Sequence, residues 1–119
     1  MMKIMKHDPA SGAVEHDPIF LGTVTKQTFV SDSDAELLRV NSVTFQNGAR
    51  NRWHHHAADQ VLIVTHGFGI VAAGERECVI ESGDVVLIPA GESHWHGARA
   101  GQEMTHLSIL TPGALTIDD

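Results

Sequence analysis

The sequence predicts an all-β domain, and three observations carry that expectation. Runs rich in β-branched and aromatic residues recur along the chain, among them IFLGTVTKQTFV from Ile19, QVLIVT from Gln60 and VVLI from Val85. Turn signals built on Gly, Pro, Asn and Asp separate these runs at roughly the 8–12-residue rhythm of a sandwich or barrel. No segment carries the apolar period of a helix of ordinary length.

In chain order, residues 1–18 hold His7-Asp8-Pro9 and His16-Asp17-Pro18. Asp before Pro signals a turn, so this stretch is expected to be irregular and neither histidine to bind metal. One domain is expected over 19–119. Ile19–Val30 reads as one or two strands, and Ser31–Asp34 as a loop with a short turn starting at Asp34. Arg39–Phe45 alternates as a strand does, and Gln46-Asn47-Gly48 turns it. A strand carrying His54-His55-His56 follows, then Gln60–Thr65. Gly67 and Gly69 are expected to break or bend the segment Phe68–Ala72. Ala73–Arg76 reads as a hairpin turn, Glu77–Ile80 as its return strand and Val85–Pro89 as a buried strand. His94–His96 opens another strand, and Met104–Leu110 is the last long one. TPGALTIDD, after Leu110, shows no usable periodicity.

Composition narrows the classes of function. At 119 residues the chain suffices for one core and is too short for two. A net charge of −7, with no cluster of Lys or Arg, argues against nucleic acid and anionic membranes as partners. A small molecule is the expected partner. The single Cys78 excludes an internal disulfide and fits a reducing compartment. With no apolar run of signal-peptide or transmembrane length, a cytoplasmic location is expected.

The nine histidines stand out more than the charge balance. Side chains alternate across a strand, so His54 and His56 share a face and His55 points away. Two same-face imidazoles about 7 Å apart along a strand are placed to share one metal ion.

The spacing G-x5-H-x-H-x3-Q-x6-G, on Gly48, His54, His56, Gln60 and Gly67, resembles the first motif of the cupin family, with Gln60 where Glu is usual. Gly83-x5-Pro89-x-Gly91-x2-His94 resembles the second, with Ala98 in place of its closing Asn. The resemblance covers residues 19–110 and implies a cupin jelly-roll β-barrel. GARNRWHHHAADQVLIVTHGFG, SGDVVLIPAGESHWHGA and MTHLSI are further similar to small single-domain cupins that include bacterial manganese-dependent hydroxynitrile lyases and cupins associated with carboxymuconolactone decarboxylases. Such small cupins usually pair, which implies a homodimer, and the apolar IFLGTV segment is a candidate to extend a partner's sheet edge.

On this reading His54, His56 and His94 supply neutral imidazoles and Gln60 an amide oxygen to one divalent transition-metal ion. Manganese comes first by resemblance; iron, nickel, cobalt and zinc fit the same donors. Gln60 in place of Glu removes one negative charge from the ligand set, which favours Lewis acidity and weakens the hold on a hard ion. The bland alternative is a polar interior with opportunistic metal. His96 shares the inward face of His94, and His106 lies mid-strand with Ser108 on its side. Both are candidate acid–base groups, or histidines that merely support the ligands. His55 is expected outside the chemistry, and parity leaves His66 unplaced. Trp53 and Trp95 alternate opposite the ligands and suit packing. Arg50 and Arg52 are either solvated loop residues or a grip for a substrate carboxylate.

The expected function is a metal-dependent lyase on a small carbonyl-derived substrate, such as a cyanohydrin, with His96 or His106 moving the proton. An iron-dependent oxygenase and a non-catalytic small-ligand-binding cupin are the alternatives.

Overall fold

The computed structural model describes residues 1–119, the side chain of Pro9 apart. Among the described residues there is no α-helix, and the expected β-rich chain folds into twelve strands. These are β1 (Ala13–Val14), β2 (Phe20–Leu21), β3 (Val24–Val30), β4 (Arg39–Phe45), β5 (Arg50–Asn51) and β6 (His54–His56). β7 (Gln60–Ala73), β8 (Arg76–Glu81), β9 (Val85–Ile88), β10 (His94–Ala98), β11 (Met104–Leu110) and β12 (Leu115–Ile117) complete them. No helix is long and apolar enough to cross a membrane among the described residues.

The strands curl into the two facing sheets of a jelly roll. One sheet runs β1-β3-β4-β11-β7-β9, and the other is built on β8-β7-β10 with β5, β6, β2 and β12 beyond. β7 belongs to both. Its first half pairs with β11 and β9, its second half with β10 and β8. The switch falls at Gly67, whose φ of +79° suits glycine, and where a Cβ would lie 1.8 Å from the Glu103 carbonyl oxygen. The glycine expected to break or bend the segment thus bends one fourteen-residue strand between two sheets.

The interior is divided. Val24, Val43, Phe45, Ala49, Val64, Ile80, Ala98 and Met104 form an apolar core. Inward positions nearer the other end carry His54, His94, His96, His106, Gln60 and Ser108, all buried. Phe45 stands at the border, fully buried, with ring centroids 5.7 Å from His96 and 5.5 Å from His106. Truncating such a phenylalanine costs about 3–5 kcal/mol, and here it would also release the two imidazoles it braces.

Two expectations need correcting. Val85–Ile88 is not a buried strand: Val85 and Leu87 are 66% and 65% exposed while Ile88 is buried, because β9 is an edge with one face outward. The last residues, without usable periodicity, form β12, since pairing with β6 rather than a local pattern makes it a strand. Ile19–Val24 packs on the chain's own core, and β2 is the last strand of its sheet. Ile19 and Val24 are buried, Phe20 packs on Phe45 at 6.2 Å, and Phe20–Leu21 pair with β5. The first residues lie against β3 and β4, with the His7 imidazole 2.7 Å from Ser42 Oγ and the Gln27 amide bonded to the Lys6 carbonyl.

Candidate metal centre

The centre is built by three strands. β6 pairs with β10 so that His54 lies opposite His94, and β12 zips along the other side of β6. His54 and His56 share the inward face, as alternation requires, while His55 turns out to Asp118. Ring centroids are 4.3 Å apart for His54 and His94, 5.1 Å for His54 and His56, and 5.9 Å for His56 and His94. One nitrogen from each ring lies within 4.8 Å of the others, so the three form a group able to hold a metal ion.

Hydrogen bonding fixes which nitrogen two of these rings present. His54 Nδ1 donates to the Arg52 carbonyl at 2.7 Å, and His94 Nδ1 donates to the Glu92 carbonyl at 2.9 Å. Each Nε2 therefore keeps its lone pair for a cation, in the arrangement by which ligating histidines are oriented. His94 Nε2 is buried without any partner. Burial pushes the His54 imidazole down to about 4, with the neighbouring imidazoles adding to the effect and the Arg52 carbonyl opposing it. Burial does the same to His56, also to about 4, and lowers His94. All three are neutral at pH 7, the form that ligates.

Gln60 opens β7, fully inside. Its Nε2 donates to Ser108 Oγ at 2.8 Å, which leaves Oε1 buried and without a partner. An unsatisfied buried polar atom costs about 1–3 kcal/mol, and this one lines the same cavity as His54 and His56. Orphaned acceptors beside neutral imidazoles are what a cation would satisfy. The donor set fits a divalent transition metal.

Behind the ligands lies a second pair of rings. His96 is on the cavity wall, and His106 sits deeper, fully buried, with its Nε2 3.1 Å from His96 Nδ1. Burial lowers both, His96 well below the ordinary histidine value and His106 to about 4. Asn51 clamps His96: its Oδ1 accepts the His96 backbone N–H at 2.8 Å, and its amide nitrogen lies 3.2 Å from the ring's Nε2.

The cavity measures about 210 Å³, with Phe20, Val43, Leu110 and Leu115 among its apolar walls. Lys26 and Arg39 also line it, but their charges are met by Glu15 at 3.2 Å and Asp32 at 2.6 Å. Arg50 and Arg52 do not join it. The Arg50 guanidinium stacks 3.8 Å over the buried Trp95 ring, and Arg52 donates to the Pro18 carbonyl. His66 lies on the outer side of β7 with Thr65, Glu103 and Thr105. Sequence reasoning missed Asn51 and Leu115. No local pattern marks either: Asn51 counts only because β5 pairs with β10, and Leu115 only because β12 docks on β6.

Residues 41–110 match the family model described as the cupin domain. Over 92 residues, 76% of this chain and 70% of the relative, the sequence is 47% identical to an (R)-mandelonitrile lyase of Granulicella tundricola. A solved cupin-like protein from Thermotoga maritima superposes with a TM-score of 0.85 at 35% identity, covering 90% of this chain and 84% of that one. The polyketide cyclase RemF of Streptomyces resistomycificus superposes at 0.84 with 17% identity, covering 100% and 87%, a likeness of fold alone.

Proposed function

The chain belongs to the cupin domain family, and from that premise we propose that it is a metal-dependent lyase that cleaves and forms a C–C bond in a small carbonyl-derived substrate, a cyanohydrin being the type case. The relative named (R)-mandelonitrile lyase supports the reaction class. The observation that carries the reading is two sets of imidazoles side by side: His54, His56 and His94 turned to a common point, and His96 on the wall of the cavity that His54 and His56 line, backed by His106. A binding module has no need of the second set.

In this proposal His54 and His94 would hold the ion through Nε2, His56 through a ring nitrogen and Gln60 through Oε1, with manganese as the resident metal. The ion supplies Lewis acidity toward a substrate oxygen. The size of about 210 Å³ and a lining that mixes apolar with polar side chains suit a small body with a polar head. His96 takes the hydroxyl proton at Nε2, the substrate hydroxyl displacing the Asn51 amide that points at this nitrogen from 3.2 Å, while Nδ1 stays engaged with His106. As that O–H bond breaks, the carbonyl forms and the C–C electron pair leaves with cyanide. Burial makes His96 a weak base and its protonated form a strong acid, suited to returning the proton to the departing cyanide as HCN. His106 shares the imidazolium charge across the 3.1 Å contact, and Asn51 Oδ1 keeps the His96 backbone in place. We further propose that the protein works as a homodimer.

The test is cleavage of a small aromatic cyanohydrin, followed by aldehyde release, with and without Mn(II) and in the absence of O₂. Metal-dependent, oxygen-independent release is expected. Turnover that requires O₂ would replace the lyase by an oxygenase. Binding without turnover, unchanged in His96→Asn, would leave a ligand-binding cupin.

A further inference from the structure

Asp118 lies outside the cavity, on the far side of β6 from the ligands, yet its carboxylate touches both strands that carry them. Its Oδ1 accepts from His55 Nδ1 at 2.9 Å, and its Oδ2 accepts from Ser93 Oγ at 2.6 Å. His55 stands between ligands His54 and His56, and Ser93 immediately precedes ligand His94. One side chain therefore bridges β6 to the entry of β10 at positions adjacent to all three imidazoles. The backbone reinforces the bridge: Asp118 N–H donates to the Trp53 carbonyl at 2.8 Å, continuing the β12–β6 ladder.

That ladder matters because β6 is weakly held otherwise. It has three residues and meets β10 through a single residue pair, His54 with His94. Without a tie on its outer side, the separation of the two ligand strands would rest on that pair, on the Gly91 N–H bond to the His56 carbonyl at 2.8 Å and on the loops. From this geometry we infer that Asp118 is a positioning residue for the metal centre, clamping His55 and Ser93 so that the ligand-bearing strands stay at the spacing a metal ion requires. Its negative charge has a second consequence. The ligand set carries no carboxylate, since Gln60 stands where one could sit, so Asp118 partly compensates the ion's charge from outside the coordination shell. The carboxylate is itself held below the usual range, first by Ser93 and then by His55.

This inference rests on the metal reading above, and its test separates the two. Mn(II) and Co(II) affinities would be measured by chelator competition on the full chain and its Asp118→Ala, Asp118→Asn and Ser93→Ala variants, together with the visible spectrum of the Co(II) forms and the melting of the metal-free proteins. Removing groups that orient metal ligands weakens affinity roughly 10–100-fold. That loss is expected for Asp118→Ala, with a shifted Co(II) spectrum. Ser93→Ala, which leaves β12 paired, is expected to lose less, and it carries the test if Asp118→Ala misfolds. A merely structural tie would lower the metal-free melting temperature and leave the affinity and Co(II) spectrum of the folded variants unchanged, which overturns the clamp. No stoichiometric ion in the unaltered protein would instead overturn the metal reading, and the clamp with it.

Discussion

His106 Nε2 lies 3.1 Å from His96 Nδ1, and only one of the two carries the proton between them. His106 has no exposure, and its remaining nitrogen, Nδ1, has no partner. It therefore acts on a ligand in the cavity only through His96. Phe45 packs against both rings and fixes their relation.

If the pair works as one acid–base unit, its members are not additive. His96→Asn should lower turnover by about 10²–10⁴-fold, the usual worth of a general acid–base group. His106→Asn should cost less, and the double variant should be little worse than His96→Asn alone. Steady-state rates at matched metal content check this. A double variant whose loss is the product of the two single losses would show that each ring acts independently.

The imidazoles also set an acid limit on the metal-free fold. Burial holds His54, His56 and His106 at about 4 in the folded chain, against 6.5 in the unfolded one. Between those values the unfolded state binds more protons, so stability is complete above pH 6.5 and drains away as pH falls toward 4. For fully buried His106 the difference corresponds to about 3 kcal/mol. Urea unfolding of metal-free protein at pH 7.5, 6 and 5 is expected to show a falling midpoint. A flat midpoint over that window would mean the imidazoles are not held neutral by burial.

Much of this molecule was legible in its sequence because its signals are local. Alternation in His54-His55-His56 assigned two rings inward and one outward, and Gly67 marked the bend that lets β7 serve two sheets. What stayed hidden depends on pairings between distant segments. Asn51 acquires a role only when β5 comes beside β10, and Asp118 only when β12 docks on β6. β9 misled for a related reason. VVLI is as apolar as a buried strand, but its position at a sheet edge turns Val85 and Leu87 outward.

That outward face supports a prediction about assembly. Leu87 pairs with Val61 and Val85 with Ile63, while Ile109 and Leu107 flank them across β7. An exposed apolar patch of this kind is unusual on a lone soluble domain, and a two-fold axis would bury it against itself. Sedimentation at micromolar concentration is expected to give a dimer, which Val85→Glu combined with Leu87→Glu dissociates. A monomer in the unaltered protein would refute the assembly.

The last prediction concerns Gln60, where this chain departs from the carboxylate usual in its family. Gln60→Glu places an anion at a position with 4% exposure, next to the Ser108 hydroxyl that now accepts from the amide. Without metal, burial of that charge has only a hydroxyl to offset it, so the metal-free variant should melt lower than the parent. With metal, the carboxylate donates to a hard cation, and affinity for Mn(II) and Fe(II) should rise. The same charge weakens the positive field in which a substrate alkoxide develops, and in a poorly solvated cavity that loss is felt strongly. Turnover at equal metal occupancy should therefore fall. The three effects differ in sign: metal-free stability down, metal affinity up, rate down. A purely structural Gln60 would lower stability without tightening metal. Chelator competition, thermal melting and rates on metal-matched protein measure all three, and a rate that is unchanged or higher at equal occupancy would show that Gln60 does not tune the centre for this chemistry.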